Sequence, residues 1–194
     1  MPKKMTTTSR QMTQLGETFA SEIGRTRFDM RGVIIGGGTA GIFAGVVMAM
    51  AAMFYDAANG SGFFLPVRSI AATWFGRNAL VGGAAVLLVG LVTHLGTSAF
   101  GGVVFAALPS SRKSATAALL GGVVWGVVVW AILSFAVMPW LNPTMYAGTV
   151  GRDPGWWFVL HVIYGAMLVV TPGLVRRVSA RGPAAEVIDY RHAA

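Results

Sequence analysis

Four stretches of this chain each run for nineteen residues or more without a charged side chain, a pattern that leaves little room for a soluble fold. The first runs from Val33 to Tyr55 and would be about 34 Å long as a helix. The second, Ala79 to Leu108, would reach about 45 Å against a hydrocarbon layer of ~30 Å. It must therefore tilt, project into an interface, or break at a glycine. The third spans Ala115 to Leu141 and closes on "MPWLNP", where Pro139 and Pro143 are expected to stop the helix and Trp140 suits the headgroup level. The fourth runs from about Trp156 to Leu174 and is expected to end at Pro172-Gly173. The expected fold is an all-α integral membrane protein, a bundle of four transmembrane helices at 33–55, 79–108, 115–141 and 156–174. Residues 1–32 would form a cytoplasmic N-terminal segment, 33–175 the membrane domain and 176–194 a cytoplasmic tail.

The charges agree with this reading. Charged residues make up only 11% of the sequence and hydrophobic residues 55%. The net charge of +8 would suggest nucleic acid if it formed a patch on a soluble fold. Here the basic residues collect at the ends of the chain and in the gaps between apolar runs, so no nucleic-acid partner is expected. Lys3, Lys4, Arg10, Arg25, Arg27, Arg31, Arg112, Lys113, Arg176, Arg177, Arg181 and Arg191 fall on one side; Arg68, Arg77 and Arg152 fall on the other. The positive-inside rule then puts both termini in the cytoplasm. The first apolar run is too long for a signal-peptide core and is expected to act as an uncleaved anchor. Without cysteine there is no disulfide, thiolate metal site or thiol nucleophile.

Two segments are expected to lie beside the bundle. Met12, Leu15, Phe19 and Ile23 recur at helical spacing and predict an amphipathic helix on the cytoplasmic interface. On the far side, "LPVRSIAATWFGRN" (65–78) predicts a second interfacial helix, opened by Pro66 and apolar along Val67, Ile70, Ala71, Trp74 and Phe75. The alternative for 65–78 is a re-entrant half-helix lining a pore or cavity, with Arg68 as an anion contact.

"VIIGGGTAGIFAG" (33–45) matches a dinucleotide fingerprint, Gly36-x-Gly38-x-x-Gly41, and Asp56 stands at about the expected offset. That fingerprint needs a strand, a tight turn and a helix with a polar outer face inside a βαβ unit. Residues 41–55 are apolar all round and no alternating βα pattern follows, so no dinucleotide is expected. Gly37, Gly41, Gly45 and Ala49 instead fall at steps of four, as do Ala118, Gly122 and Gly126 in the third span. Small residues on one face let helix backbones approach closely in lipid. The expectation is tight packing between spans one and three, or across an oligomer interface.

Candidate chemistry is sparse. No Asp, Glu, Lys or Arg lies within a span, which leaves His94 in span two and His161 in span four as the main ionisable exceptions. Three readings of the pair stay open: neutral imidazoles hydrogen-bonded between spans, axial ligands of a b-type haem, or part of a proton or solute path. Two histidines without carboxylates fall short of a zinc or copper site. Asp56 and Asp153 read as solvated loop residues, and Trp125 and Trp130 as packing. No nucleophile–base pair or carboxylate dyad is visible, so a non-catalytic protein is favoured.

"FFLPVRSIAA" after span one, His94, "MPWLNP" after span three and His161 together resemble small uncharacterised four-span membrane proteins of bacteria, over about residues 33–175. The resemblance implies a bacterial inner membrane and no particular activity. A second likeness, to four-helix cytochrome b subunits, rests on His94 and His161 alone and implies haem. The expected function is a small non-catalytic subunit of a larger membrane complex, with lipid and other membrane subunits or further copies as partners. A haem-binding electron carrier and a channel or transporter, possibly homo-oligomeric, are the alternatives.

Overall fold

The structure, a computed structural model, describes residues 30–109, 111 and 114–180. The amphipathic segment predicted around Met12 to Ile23 and the tail beyond 180 lie outside the described residues. The described helices belong to the unit Arg31–Ala194. Its described residues are helical almost throughout, with no strand among them.

Four helices are long and apolar enough to cross a membrane: α1 (Gly32–Ala58), α3 (Ala84–Ala107), α4 (Ala115–Leu141) and α6 (Pro154–Ala180). Between them lie α2 (Leu65–Phe75) and α5, a short helical stretch over 143–150. Successive spans run antiparallel, so α1 and α4 run one way and α3 and α6 the other. Gly36 near the start of α1 faces Val175 near the end of α6, which puts both at one end of the bundle, here the terminal end. The opposite end is the distal end.

Three expected boundaries shift, each for a local reason. The thirty-residue second run does not stay helical. Gly76–Val81 forms a 3₁₀ turn and Gly82 and Gly83 are extended, so the span itself starts at Ala84. Gly76 sits at φ +57°, ψ −152°, a conformation that excludes side chains, and it ends α2 at Phe75, three residues short of the expected end at Asn78. The third span ends at Leu141 as expected, one residue before Asn142 and Pro143, with Pro139 in its last turn behind a wider π-turn over Ile132–Val137. The fourth span passes through Pro172 to Ala180. A tighter 3₁₀ turn at Leu168–Val170 takes up the clash that the proline ring would make with the preceding turn.

The glycine stripes do not meet one another. Gly37, Gly41 and Gly45 lie against α3, span two rather than span three. A Cβ on Gly41 would stand 2.2 Å from the Ser98 carbonyl oxygen, and one on Gly37 2.8 Å from that of Gly102. Gly122 and Gly126 lie against α6, where a Cβ would stand 2.2 Å from the carbonyl oxygens of Gly165 and His161 respectively. These pairings give the order α3–α1–α6–α4, with α1 and α6 as the inner pair. Half of the apolar stretch of α1 and 44% of that of α6 are buried, against 17% for α3 and for α4. The core between them is Ala40, Ala44, Met48, Phe105, Leu160, Tyr164 and Leu168.

α2 is held by four contacts. The Val67 carbonyl sits where a Cβ of Gly90 would be, and Trp74 Nε1 donates to Thr93 Oγ1 at 2.9 Å. Asn142 Nδ2 donates to the Ser69 carbonyl and to Thr73 Oγ1, both at 2.9 Å. Gly90 and Thr93 are about 9 and 14 Å along α3 from its start. α2 thus lies level with the second and third turns of α3 rather than above its end.

The glycine contacts yield a direct test. Gly41→Ala and Gly122→Ala must each push two backbones apart, which should cost about 1–3 kcal/mol and lower the Tm of the detergent-solubilised protein. Gly96→Ala, at a glycine with no atom within 4 Å of the added Cβ, should leave the Tm unchanged or raise it. Equal effects at the three positions would refute the packing.

Candidate functional site

The two span histidines sit at one level of the bundle. Tyr164 of α6 reaches across to α3, its hydroxyl donating to the Ser98 carbonyl at 2.7 Å. Because α3 and α6 are parallel, one turn back along each helix arrives at His161 and His94. Gly101 makes room for this crossing, since a Cβ there would stand 2.7 Å from the Tyr164 oxygen.

Each imidazole is tied to a backbone carbonyl. His94 Nε2 lies 2.9 Å from the Gly45 carbonyl oxygen. A carbonyl only accepts, so Nε2 carries the proton and Nδ1 is bare. The bond exists because the glycine stripe brings the α1 backbone against α3; a Cβ on Gly45 would strike Ser98 Oγ at 2.5 Å. Thr97 Oγ1 donates to the carbonyls of Thr93 and His94, which satisfies the hydroxyl within its own helix. His161, 2% exposed, has the reverse polarity: Nδ1–H donates to the Trp157 carbonyl at 2.8 Å, leaving Nε2 bare. Trp157 packs edge-on against the His161 ring and donates its indole N–H to Ser134 Oγ of α4 at 2.8 Å. The histidine layer therefore links all four spans, with its N–H groups committed.

This arrangement does not fit a haem held by both histidines. His161 is polarised as an iron ligand would be, its Nδ1–H on a carbonyl and Nε2 bare. His94 is polarised the other way, with Nε2 bonded to Gly45. A macrocycle between them would also extend over the next turn, where Tyr164 crosses from α6 to α3. Toward the terminal end the interior is filled by Phe105 and Leu168, both 0% exposed. Among the described residues no three of His, Cys, Asp and Glu come together. What the layer can do chemically is bind helix to helix. Trp125 and Trp130 have buried indole nitrogens without an acceptor, and Trp130 packs edge-on against Phe135 and Phe158.

A second polar cluster closes the distal end, and it corrects the reading of Asp56 as a solvated loop residue, while Asp153 stays outside the span as its part-exposed N-cap. Asp56 is buried and pairs with Arg152 at 2.9 Å, while Arg152 also reaches Ser61 Oγ at 3.3 Å. Asp153 accepts from the Tyr55 hydroxyl and, as the N-cap of α6, from the Trp156 amide at 2.9 Å. Tyr55 stacks on Trp156 with ring centres 4.3 Å apart. Tyr55, Asn59, Ser61, Arg152 and Asp153 line a shallow depression of about 340 Å³. The Asp153-Pro154 pair is a helix-start signal legible in the sequence. Nothing in sequence order joins Tyr55 and Asp56 to residues almost a hundred positions later.

The hydrogen bond from Tyr55, followed by that from the Trp156 amide, holds the Asp153 carboxyl below its ordinary value of 3.8. A depressed carboxyl contributes stability above the ordinary value and loses it as pH falls through the depressed one. The wild-type Tm should therefore drop on acidification below the usual aspartate range. Asp153→Asn should have a lower Tm at neutral pH and a smaller acid-induced drop; an unchanged pH profile would count against the clasp. Protein purified from haem-sufficient membranes should show no Soret band. A band abolished by His161→Ala would reverse the conclusion about the histidines.

No family description, no curated protein and no solved structure matches the chain.

Proposed function

We propose that this chain is a small non-catalytic subunit of a larger membrane assembly, in the inner membrane of a bacterium with both termini in the cytoplasm. The observation that carries the reading is the unequal burial of the spans. α1 and α6 bury about half of their apolar stretch within the chain, α3 and α4 only 17%. Leu88, Val92 and Phe100 on α3 and Leu120, Val124 and Phe135 on α4 point outward with 62–71% of their surface exposed. A lateral cleft of about 410 Å³, lined by Leu108, Leu120, Gly121, Val124, Trp125 and Val128, adds an indented apolar surface on α4.

Lipid alone can cover such faces, and helices associate in lipid through shape and close packing rather than through apolarity. An open row of helices, unlike a closed bundle, leaves both outer spans available to neighbours. The committed interior histidines and the filled interior support a structural role over electron transfer or transport. Other subunits or further copies of the chain would cover α3 and α4.

Native mass spectrometry of the protein released from its own membrane in mild detergent tests this. The expected result is a complex larger than one 20.4 kDa chain. Leu120→Arg together with Val124→Arg on the outer face of α4 should reduce that complex while the four spans stay folded. A monomer from native membranes would overturn the proposal.

A further inference from the structure

α2 carries a cation without a counter-charge. Arg68 is half-buried, and its Nε is fully enclosed with no hydrogen-bond acceptor. The carboxylate side chains among the described residues are Asp56 and Asp153. Both are engaged elsewhere, Asp56 by Arg152 and Asp153 by Tyr55 and the Trp156 amide. No carboxylate of the described chain is left for Arg68.

The helix makes the position worse. Arg68 lies in the first turn of α2, where the backbone dipole is positive and cations are disfavoured. That turn has no acidic residue and no side-chain cap; Phe64 occupies the cap position. Guanidinium and helix end therefore present like charge at one place, the reverse of the usual arrangement. An anion there would answer both.

The surroundings say which anion. Phe64, Trp74 and Phe75 are 47, 65 and 46% exposed, and Val81 beyond them is 86% exposed. Aromatic side chains of this kind belong at the boundary between headgroups and hydrocarbon. α2 lies level with the second and third turns of α3, at the depth where an arginine extends toward the headgroups. We propose that Arg68, at the uncapped start of α2, holds the phosphate of a phospholipid whose glycerol and acyl region rests on the Phe64–Trp74–Phe75 surface. With Nε enclosed, the two outer nitrogens of the planar guanidinium are the ones suited to bidentate contact with phosphate oxygens. This site is independent of whether other subunits surround the chain.

Detergent-purified full-length chain, stripped of lipid, would be offered phosphatidylglycerol, phosphatidylethanolamine or inorganic phosphate, with bound adducts counted by native mass spectrometry and the Tm followed in parallel. The expected result is one phospholipid adduct that survives longest as lipid is diluted and raises the Tm, with no comparable shift from inorganic phosphate. Arg68→Gln should bind that lipid at least about tenfold more weakly, the weight of one charge-assisted hydrogen bond. Arg68→Lys should fall between the two and serves if the glutamine variant does not fold. Arg77→Gln, at an exposed arginine on the following 3₁₀ turn, should bind as the wild type does. Equal lipid binding by wild type and the Arg68 variants would overturn the proposal. So would stabilisation by inorganic phosphate as strong as by phospholipid.

Discussion

Backbone against backbone is the contact on which the rest of this structure depends. A Cβ on Gly41 would lie 2.2 Å from the Ser98 carbonyl, and one on Gly165 2.1 Å from the carbonyl of Gly122. Apolar side chains gain nothing from leaving lipid for one another, so helices in a membrane are held by dispersion at close range and by polar contacts. Glycine supplies the close range. The polar contacts then follow from it. His94 reaches the Gly45 carbonyl because the α1 backbone is already there. On the other side, Gly126 stands against the carbonyl of His161, beside the Trp157–Ser134 bond that joins α6 to α4. The histidine layer is thus a consequence of the glycine contacts as much as a partner to them.

How much of this the sequence carried depends on the range of the physics. Four spans were legible because hydropathy over some twenty residues is a local property, and of the three ways open to a thirty-residue run, to tilt, to project or to break, the chain takes the last at Gly82 and Gly83. Pairing was not legible. A stripe at steps of four says that Gly37, Gly41 and Gly45 meet something closely, and nothing in it distinguishes α3 from α4 as the partner. Prolines were informative at one place and not at another. The third span ends at Leu141 before Pro143 as expected, whereas a tighter turn before Pro172 lets the fourth helix continue past it. Asp153 could be read as a cap from the proline that follows it. Its bond from Tyr55, and the pairing of Asp56 with Arg152, exist only once α1 and α6 stand side by side.

Two of the irregular turns lie in the inner helix pair. The π-turn at Gly32–Gly36 and the 3₁₀ turn at Leu168–Val170 lie in neighbouring helices at the terminal end, where Gly36 meets Val175. Thr171, at the exit of the 3₁₀ turn, is 0% exposed and its hydroxyl has no partner. A threonine in a regular helix would bond its hydroxyl to the carbonyl three or four residues back. The distal end is the opposite case, with Tyr55, Asp56, Arg152 and Asp153 in mutual hydrogen bonds and Asp153 capping α6. The two ends of the inner helix pair are therefore held by different means, packing of irregular turns at one and a polar clasp at the other.

The distribution of unsatisfied groups bears on where function resides. Within the histidine layer the imidazole N–H groups, the Tyr164 hydroxyl and the Trp157 indole all have acceptors, on a neighbouring helix for His94, Tyr164 and Trp157 and within α6 for His161. The orphaned donors lie outside it, at Arg68 on α2, at the indoles of Trp125 and Trp130 on α4 and at the Thr171 hydroxyl on α6. Exposed aromatic and aliphatic side chains lie on α2, α3 and α4, and also on the outer face of α1 at Ile34, Phe43 and Phe54. A histidine layer whose donors are all engaged, beside outer helices with weakly buried apolar faces, agrees with the proposed structural role. On that proposal the pair α1–α6 is the scaffold, and the outer spans α3 and α4 are where lipid or neighbours would pack.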